Sequence, residues 1–275
     1  MNIDSSTSLY GVAGYPLSHT LGPAMHNAAF SHSGINAVYL AFEARDIEGC
    51  ICAVKALDIK GMSITIPHKV SVLGLIDEVD DLAQKIGAVN TIVNRNGYLV
   101  GYNTDAFGAL KALEAKTRLS GKRCLIIGAG GAARAIGFAL KGRGTHLTIA
   151  NRTKDRGEKL ASDLEGEFIP LAKMHGVEAE ILVQTTPLGM YPRGDQSAVS
   201  PGALKAGTLV MDVIYNPLET KLLKDAKARG CTTISGLEMF LYQGAEQFKL
   251  WTGLEAPFPI MKRAVLSALG ERDVA

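Results

Sequence analysis

The sequence predicts an α/β protein with two domains, one of them built on a doubly wound parallel sheet. Short apolar runs alternate with helical segments from residue 124 to residue 234, as in a sheet covered by helices on both faces. A glycine-rich turn at residues 128–131 joins the first of these runs to its helix. The first hundred residues carry strands of their own, including a hairpin marked by Asn96-Gly97. These three observations determine the predicted fold class.

The first hundred residues are predicted to form an α/β unit whose strands run in mixed directions. A loop at residues 14–23 follows the first strand, and Pro23 suits the first turn of the next helix. Asp46 can cap the helix after that. The predicted strands cover residues 9–13, 38–42, 62–66, 91–93 and 98–100. The predicted helices cover residues 23–30, 47–57, 77–86 and, leading out of this unit, 106–116.

The turn after the apolar run at residues 124–127 has the spacing of a dinucleotide-binding fingerprint. Gly128 allows the tight turn, Gly130 lets a pyrophosphate approach the backbone, and Ala133 lets the helix pack closely on the strand. The free N–H groups at the start of that helix then face the phosphates. Tight turns also use glycine for steric reasons alone, but here a strand, a helix and a second strand are all in place. The sequence therefore predicts a Rossmann-type domain that binds a dinucleotide.

The end of the second strand, residues 146–150, predicts which dinucleotide binds. Asn151, Arg152 and Thr153 stand where an acidic residue would bind the ribose of NAD. Arg152 offers a cation for a 2′-phosphate instead, so NADP is the predicted cofactor. The alternative is an ordinary solvated basic turn. The candidate cofactor-binding residues of the two turns are Gly128, Ala129, Gly130, Gly131, Ala132, Asn151, Arg152 and Thr153.

The remaining strands of the second domain place two further loops where ligands bind in such sheets. The loops at residues 185–190 and 214–217 follow the carboxyl ends of predicted strands. The last forty residues carry two helices and Trp251, with no strand. The predicted strands of this domain cover residues 124–127, 146–150, 168–169, 181–184, 209–213 and 232–234.

Composition and charge argue against several classes of partner. The net charge of +2 is spread along the chain without a basic block, so neither nucleic acid nor an anionic membrane is an expected partner. No apolar run is long enough to span a membrane, and the N-terminus lacks the features of a signal peptide. The four cysteines have no zinc spacing and the six histidines no metal pattern, with structural roles expected for His19 and His26. We expect a cytoplasmic protein with reduced thiols and no metal.

Seven short motifs extend in order along nearly the whole chain, from Gly14 to Gly253. They are GYPLSHTLGPAMHN from Gly14, ITIPHK from Ile64, GAVNT from Gly87, GYNTD from Gly101, GAGGAA from Gly128, NRT from Asn151, and Gln243 ahead of FKLW. Together they resemble the shikimate dehydrogenase family, which reduces 3-dehydroshikimate with NADPH in chorismate and aromatic amino-acid biosynthesis. The resemblance implies a substrate-binding domain of residues 1–105, completed by helices in residues 237–275. An NADP-binding domain of residues 106–236 would lie between these two segments.

The resemblance also implies that Lys69 and Asp105 are the catalytic residues. Reduction of a ketone needs a proton at the oxygen while hydride reaches the carbon. A lysine ammonium suits that role because it also stabilises negative charge on the oxygen. Asp105 would hold Lys69 charged or relay its proton. Without the motif, Lys69 would be interpreted as a solvated loop residue and Asp105 as a helix N-cap.

The family pattern assigns further residues to the substrate and to the nicotinamide end of the cofactor. The implied substrate-binding residues are Thr20, Gly22, Thr65, Asn90, Asp105, Tyr215 and Gln243. Ile214 and Gly236 fall where the nicotinamide would lie. The expected partner is thus a small molecule, and the expected assembly a monomer or homodimer.

One position departs from the pattern, since Gly22 stands where the family usually has a serine that binds the substrate carboxylate. Two interpretations concern the substrate: shikimate, with a water in the vacated space, or quinate, with a bulkier C1 in it. A third is that Gly22 serves the backbone by allowing a positive φ before Pro23. A more remote alternative is an NADP-sensing regulator on an enzyme scaffold. Such a protein would not need both Lys69 and Asp105.

Overall fold

The computed structural model describes residues 3–17, 20–191 and 193–270, and the chain forms two compact units. The first unit consists of Met1–Thr104 and Gln243–Ala275, and the second of Asp105–Tyr242. The second boundary lies beyond the expected position, residue 236. The helix that begins at Gly236 first packs within the second unit, where the Phe240 ring lies 5.1 Å from the Tyr215 ring.

The first unit contains a six-stranded mixed sheet. Its strands are β1 (Ser8–Gly14), β2 (Ala37–Glu43), β3 (Gly61–Ile64), β4 (Glu78–Val79), β5 (Thr91–Arg95) and β6 (Tyr98–Tyr102). The strand order is β2-β1-β3-β5-β6-β4. β1 is parallel to β2 and β3, whereas β5 is antiparallel to β3 and to β6, its hairpin partner. The mixed directions are those that the sequence predicts.

The second unit contains a six-stranded sheet in which every pair is parallel. Its strands are β7 (Arg123–Ile127), β8 (His146–Asn151), β9 (Glu167–Pro170), β10 (Ile181–Gln184), β11 (Leu209–Asp212) and β12 (Thr232–Ile234). In the order β12-β11-β10-β7-β8-β9, successive strands are added on one side of β7 up to β9 and on its other side from β10 onward. The strand order therefore reverses between β7 and β10. This is the doubly wound, Rossmann-type topology, so the predicted fold class is confirmed. Ligands bind in such sheets at the carboxyl ends of the strands, near the point of reversal.

Helices pack on both sheets. They are α1 (Gly22–His32), α2 (Ile47–Ala56), α3 (Asp81–Ile86), α4 (Thr104–Glu114), α5 (Gly131–Lys141), α6 (Lys154–Leu164), α7 (Lys221–Ala228), α8 (Gly236–Thr252) and α9 (Phe258–Ala268). α8 starts in the second unit and ends in the first. None of the helices in the described part of the chain is long and apolar enough to cross a membrane.

The helix predicted at residues 77–86 is only partly correct. Glu78–Val79 forms β4, and the helix α3 starts later, after Asp80 as its N-cap. Asp77 Oδ2 accepts a hydrogen bond from the Leu99 N–H at 2.7 Å, which ties this segment to β6. Pairing with a strand distant in sequence therefore overrides the local helical tendency.

Trp251 joins α8 to the first sheet. Its Nε1 donates to the Ile92 carbonyl at 3.0 Å, and its ring lies against that of Tyr10, 5.4 Å between centroids. The indole covers Gly61, where an added Cβ would lie 2.2 Å from Nε1. Any side chain at that position would displace the tryptophan. The C-terminal part of α8 thus belongs to the core of the first unit.

Candidate active site

The turn after β7 requires glycine for two physical reasons. Gly128 has a φ of +110°, which favours glycine, and its N–H donates to the Ala150 carbonyl at 2.8 Å. An added Cβ on Gly128 would also lie 2.5 Å from Thr185 Oγ1. Open space surrounds Gly130 and Gly131, where an added Cβ would meet no atom within 4 Å. No side chain caps α5, so its first N–H groups can face a phosphate.

The second candidate turn lies beside the first, because β8 pairs with β7. Asn151 ends β8, and its Nδ2 donates to the Thr153 carbonyl at 2.8 Å, which closes the turn. Arg152 is exposed, and among the described residues no carboxylate pairs with its guanidinium. The arrangement offers an available cation about one strand away from the glycine turn. A phosphate outside the pyrophosphate, such as the 2′-phosphate of NADP, fits such a site.

Gln184, which the sequence analysis did not single out, shapes the loop after β10. Its Oε1 accepts from the Thr186 N–H at 2.8 Å and from the Thr186 hydroxyl at 2.9 Å. Its Nε2 donates to the carbonyls of Thr186 and Leu188 at 2.9 and 3.0 Å. The buried amide is thus fully satisfied by the loop it supports.

Asp212, also missed from the sequence, does the same for the loop after β11. Its Oδ1 accepts from the Ile214 N–H at 3.1 Å, and its Oδ2 from the Thr220 hydroxyl at 2.7 Å. Burial raises the pKa of the Asp212 carboxyl to about 6, although both hydrogen bonds lower it. These two bonds fix the loop that carries Ile214 and Tyr215. Burial also raises the pKa of the Tyr215 hydroxyl.

The structure brings Ile214 and Gly236 together. The Gly236 N–H donates to the Ile214 carbonyl at 3.2 Å. An added Cβ on Gly236 would lie 2.2 Å from the Val213 carbonyl oxygen, so backbone contact leaves no room for a side chain. The candidate cofactor residues of the second unit therefore all lie at the carboxyl ends of its strands or directly after them.

In the first unit, Thr20 and Gly22 lie together at the start of α1. The Gly22 N–H donates to Thr20 Oγ1 at 3.4 Å. Gly22 does not have a positive φ, so the interpretation based on backbone freedom is wrong. An added Cβ would lie 3.1 Å from the Tyr39 ring and 3.2 Å from its hydroxyl, which is bonded to Ser63 Oγ at 2.7 Å. Close approach of the buried Tyr39 favours glycine, because the ring would have to shift by a few tenths of an ångström to admit a Cβ. His19, just before Thr20, lies outside the described residues.

Thr65 and Lys69 follow the carboxyl end of β3. The Thr65 N–H donates to the Ala13 carbonyl at 3.0 Å, and the Lys69 carbonyl accepts from the Val89 N–H at 2.8 Å. Between them His68 is buried, with Nε2 2.7 Å from the Ala44 carbonyl oxygen. These bonds hold both ends of the turn that carries the half-buried Lys69.

Asp105 lies in the first turn of α4, inside the helix rather than at its N-cap. It is half-buried. It is the first residue of the second unit, whereas Lys69 belongs to the first.

Asn90 and Gln243 are brought together through Thr104. Asn90 Nδ2 donates to Thr104 Oγ1 at 3.0 Å, and the Thr104 hydroxyl donates to Gln243 Oε1 at 3.4 Å. Thr91 and Gln247 extend this buried cluster. The sequence analysis quoted Thr91 and Thr104 within its motifs without assigning them a role, and it missed Gln247. The signal for Gln247 was its position one helical turn after Gln243, on the same face of α8.

No group of three or more histidine, cysteine or acidic side chains in the described ranges could hold a metal ion.

Three family models match successive parts of the chain. A shikimate dehydrogenase substrate binding domain matches residues 12–92, and a shikimate / quinate 5-dehydrogenase model matches residues 110–189. A shikimate 5'-dehydrogenase C-terminal domain matches residues 236–266. The matches extend over both compact units.

Named proteins and solved structures are similar to this chain over almost their full length. The shikimate dehydrogenase (NADP(+)) of Moorella thermoacetica is 45% identical, covering 98% of this chain and 96% of the relative. A crystal structure of a shikimate dehydrogenase in complex with NADP+ superposes with a TM-score of 0.92 at 43% identity, covering 97% of both chains. The Thermus thermophilus enzyme in complex with NADP(H) and shikimate has a TM-score of 0.89 at 36% identity, covering 95% of this chain and all of that one.

Proposed function

Because the chain belongs to the shikimate dehydrogenase family, we propose that it catalyses the reversible, NADP-dependent reduction of 3-dehydroshikimate to shikimate. It is then an oxidoreductase acting on a CH–OH group, in chorismate and aromatic amino-acid biosynthesis. The observation that carries this function is the 45% identity with a shikimate dehydrogenase (NADP(+)) over nearly all of both chains. The reaction binds a small-molecule substrate. A cytoplasmic monomer or homodimer is our expectation, in keeping with four cysteines that are all free thiols.

We assign NADP to the second unit and most of the substrate contacts to the first. The open backbone at Gly130 and Gly131, ahead of a helix without a side-chain cap, fits a pyrophosphate. The exposed Arg152 fits the 2′-phosphate, with Asn151 and Thr153 beside it. Ile214 and Gly236 are proposed for the nicotinamide end. A match of residues 12–92 to a substrate binding domain supports the assignment of the first unit.

We assign the proton transfer to Lys69 and Asp105. NADPH supplies the hydride when it is bound. The Lys69 ammonium gives a proton to the substrate oxygen and stabilises the negative charge that develops there. Asp105 keeps Lys69 charged or relays its proton. The half-buried position of Lys69, on a turn held by two backbone hydrogen bonds, suits a group that must be placed accurately.

The substrate ring and its carboxylate are assigned to the polar side chains of the candidate site. Thr20 is proposed for the carboxylate, next to Gly22. Thr65, Asn90, Asp105 and Gln243 are proposed for the ring hydroxyls, and Tyr215 for a further contact. The link between Asn90 and Gln243 through Thr104 supports a shared role for those two amides.

Quinate is not favoured as the main substrate. The relatives with 43–45% identity over nearly the whole chain are named as shikimate dehydrogenases that use NADP(+). A regulator without activity is likewise not favoured by this similarity. Gly22 has an explanation without quinate, because an added Cβ would lie only 3.1 Å from the buried Tyr39 ring.

Transfer of a labelled hydride tests the proposed reaction. Shikimate that carries deuterium on the carbon bearing the oxidised hydroxyl should yield deuterated NADPH from NADP. Unlabelled shikimate is the control. Formation of 3-dehydroshikimate with no deuterium in the cofactor would contradict direct hydride transfer.

A further inference from the structure

A buried chain of hydrogen-bonded side chains lies behind Asn90, within the first unit. It runs from His26 through Gln247 and Thr91 to the Asn90 amide, and each of these four residues is at most 3% exposed. The proposed function assigns Asn90 to a substrate hydroxyl but gives no role to the other three. The inference below rests on that proposed function.

The orientation of the Asn90 amide is fixed by a backbone group. The Thr104 N–H, which can only donate, lies 2.7 Å from Asn90 Oδ1. The Thr91 hydroxyl donates to the same oxygen at 2.8 Å, so both of its lone pairs are used. One Asn90 Nδ2 hydrogen goes to Thr104 Oγ1 at 3.0 Å. Only the second N–H remains to meet a ligand, and within the described residues nothing accepts from it.

The orientation of Gln247 follows from that of Thr91. A hydroxyl has one hydrogen, which Thr91 gives to Asn90 Oδ1 at 2.8 Å or to Thr104 Oγ1 at 3.1 Å, so towards Gln247 it must accept. Gln247 Nε2 is therefore the atom that lies 2.9 Å from Thr91 Oγ1. Its Oε1 then faces His26 Nε2 at 3.3 Å and can only accept.

The tautomer of His26 follows in turn. Its Nε2 must carry the hydrogen, which leaves Nδ1 as a bare lone pair. Nδ1 indeed has no hydrogen-bond partner among the described residues, and the ring is stacked on Tyr39 with 4.6 Å between centroids. Burial lowers the pKa of His26 to about 3, in spite of the Gln247 bond, so the ring stays neutral.

We propose that His26, Gln247 and Thr91 are positioning residues that, together with the Thr104 N–H, hold the Asn90 amide in one orientation, so that it presents only an N–H donor to a ligand. The ligand group it recognises must then accept a hydrogen bond, as a ring hydroxyl can. An ammonium group in place of that hydroxyl offers only donors and would be rejected. The network thus contributes to substrate selectivity without touching the substrate.

A double-mutant cycle tests whether Thr91 acts through Asn90. Thr91→Val removes the hydroxyl at nearly constant volume and should raise KM for shikimate about tenfold, whereas KM for NADP changes less than about twofold. Thr91→Ser should restore a KM near that of the parent. In an Asn90→Ala background the effect of Thr91→Val on shikimate should disappear. Additive losses in the double variant would overturn the proposal.

Two controls separate this outcome from general destabilisation and from failure of the proposed function. Thr145→Val removes a buried hydroxyl that donates to the Leu119 carbonyl in the second unit, and it should leave KM for shikimate unchanged. Activity of the parent protein with shikimate is measured first, which tests the proposed function by itself.

Nitrogen-15 NMR of the ligand-free protein tests the network without any substrate. His26 should show a protonated Nε2 and an unprotonated Nδ1, and it should stay neutral at pH 5. Gln247→Met should abolish the preference for that tautomer. A hydrogen on Nδ1, or a charged ring at pH 5, would contradict the inferred direction of the bonds.

Discussion

Gln184 and Asp212 are register partners at the carboxyl ends of the adjacent parallel strands β10 and β11. Both are essentially inaccessible to solvent, and each binds the loop that follows its own strand. The two loops lie at the edge of the second sheet where ligands bind in doubly wound folds, and one of them carries Ile214 and Tyr215. Asp212 therefore supports the loop of the proposed nicotinamide end, and Gln184 supports the neighbouring loop.

The buried carboxyl of Asp212 predicts a pH-dependent stability difference. Its pKa is raised from 3.8 to about 6, so the folded protein binds more protons than the unfolded chain between these values. The contribution of Asp212 to stability is thus present below pH 4 and is lost as the pH rises through 6. Asp212→Asn should remove this loss. Relative to the parent, its free energy of unfolding should improve by roughly 2–3 kcal/mol between pH 4 and pH 7.

Denaturant titrations at several pH values measure this difference. Asp155→Asn, on the exposed first turn of α6, serves as the control for removal of a surface carboxylate. A difference between Asp212→Asn and the parent that stays constant with pH would contradict the raised pKa.

Lys69→Ala should lower kcat by roughly 10²- to 10⁴-fold, the usual contribution of general acid–base catalysis. The substrate dissociation constant should change far less, because the contact of Lys69 strengthens as charge develops on the oxygen. Steady-state kinetics and a direct binding measurement separate the two effects. Lys60→Ala, which breaks a surface pair with Asp58, is the matched control. Near-normal kcat in the Lys69 variant would end the proposed role.

Arg152→Ala should weaken the use of NADP about ten- to hundredfold, as expected for loss of one charged hydrogen bond. The use of NAD should stay nearly the same, because NAD has no 2′-phosphate. KM values for both cofactors, measured at saturating shikimate, provide the test. Arg143→Ala, which removes the surface pair with Glu114, should affect neither cofactor. Equal losses for NADP and NAD would refute the selectivity argument.

Gly22→Ala and Gly22→Ser both add a Cβ 3.1 Å from the Tyr39 ring. Tyr39 is buried against His26 and bonded to Ser63, so it cannot easily move, and each variant should lose about 1–3 kcal/mol of stability. The serine alone supplies a donor to the substrate carboxylate. The KM of the Gly22→Ser variant for shikimate should therefore be at least about tenfold below that of the Gly22→Ala variant. Identical KM values in the two variants would mean that position 22 has no part in carboxylate binding.

Local patterns were sufficient to predict most of the second unit. The apolar run of β7 and the turn at Gly128 are close in sequence, so their spacing alone indicated the strand, the helix and the dinucleotide site. β4 was missed because it exists through pairing with β6, a partner some twenty residues away. No short-range pattern records that contact.

The supporting polar side chains of the site were missed for a similar reason. Thr91 and Gln247 lie 156 positions apart, and only the folded first unit brings them within 2.9 Å. The motifs predicted Asn90 and Gln243, which belong to the family pattern. Thr91 and Thr104 stand inside the same motifs, but their part in orienting Asn90 became visible only through their hydrogen bonds.

The most direct test of the central claim is kcat/KM for shikimate with NADP, compared with quinate and with NAD in all four combinations. The absorbance of the reduced cofactor reports every reaction in the same assay. We expect shikimate with NADP to give the highest value, with quinate at least about tenfold lower, which corresponds to about 1.4 kcal/mol of discrimination. A folded protein that reduces no NADP in the presence of shikimate, or that prefers quinate with NAD, would contradict the account.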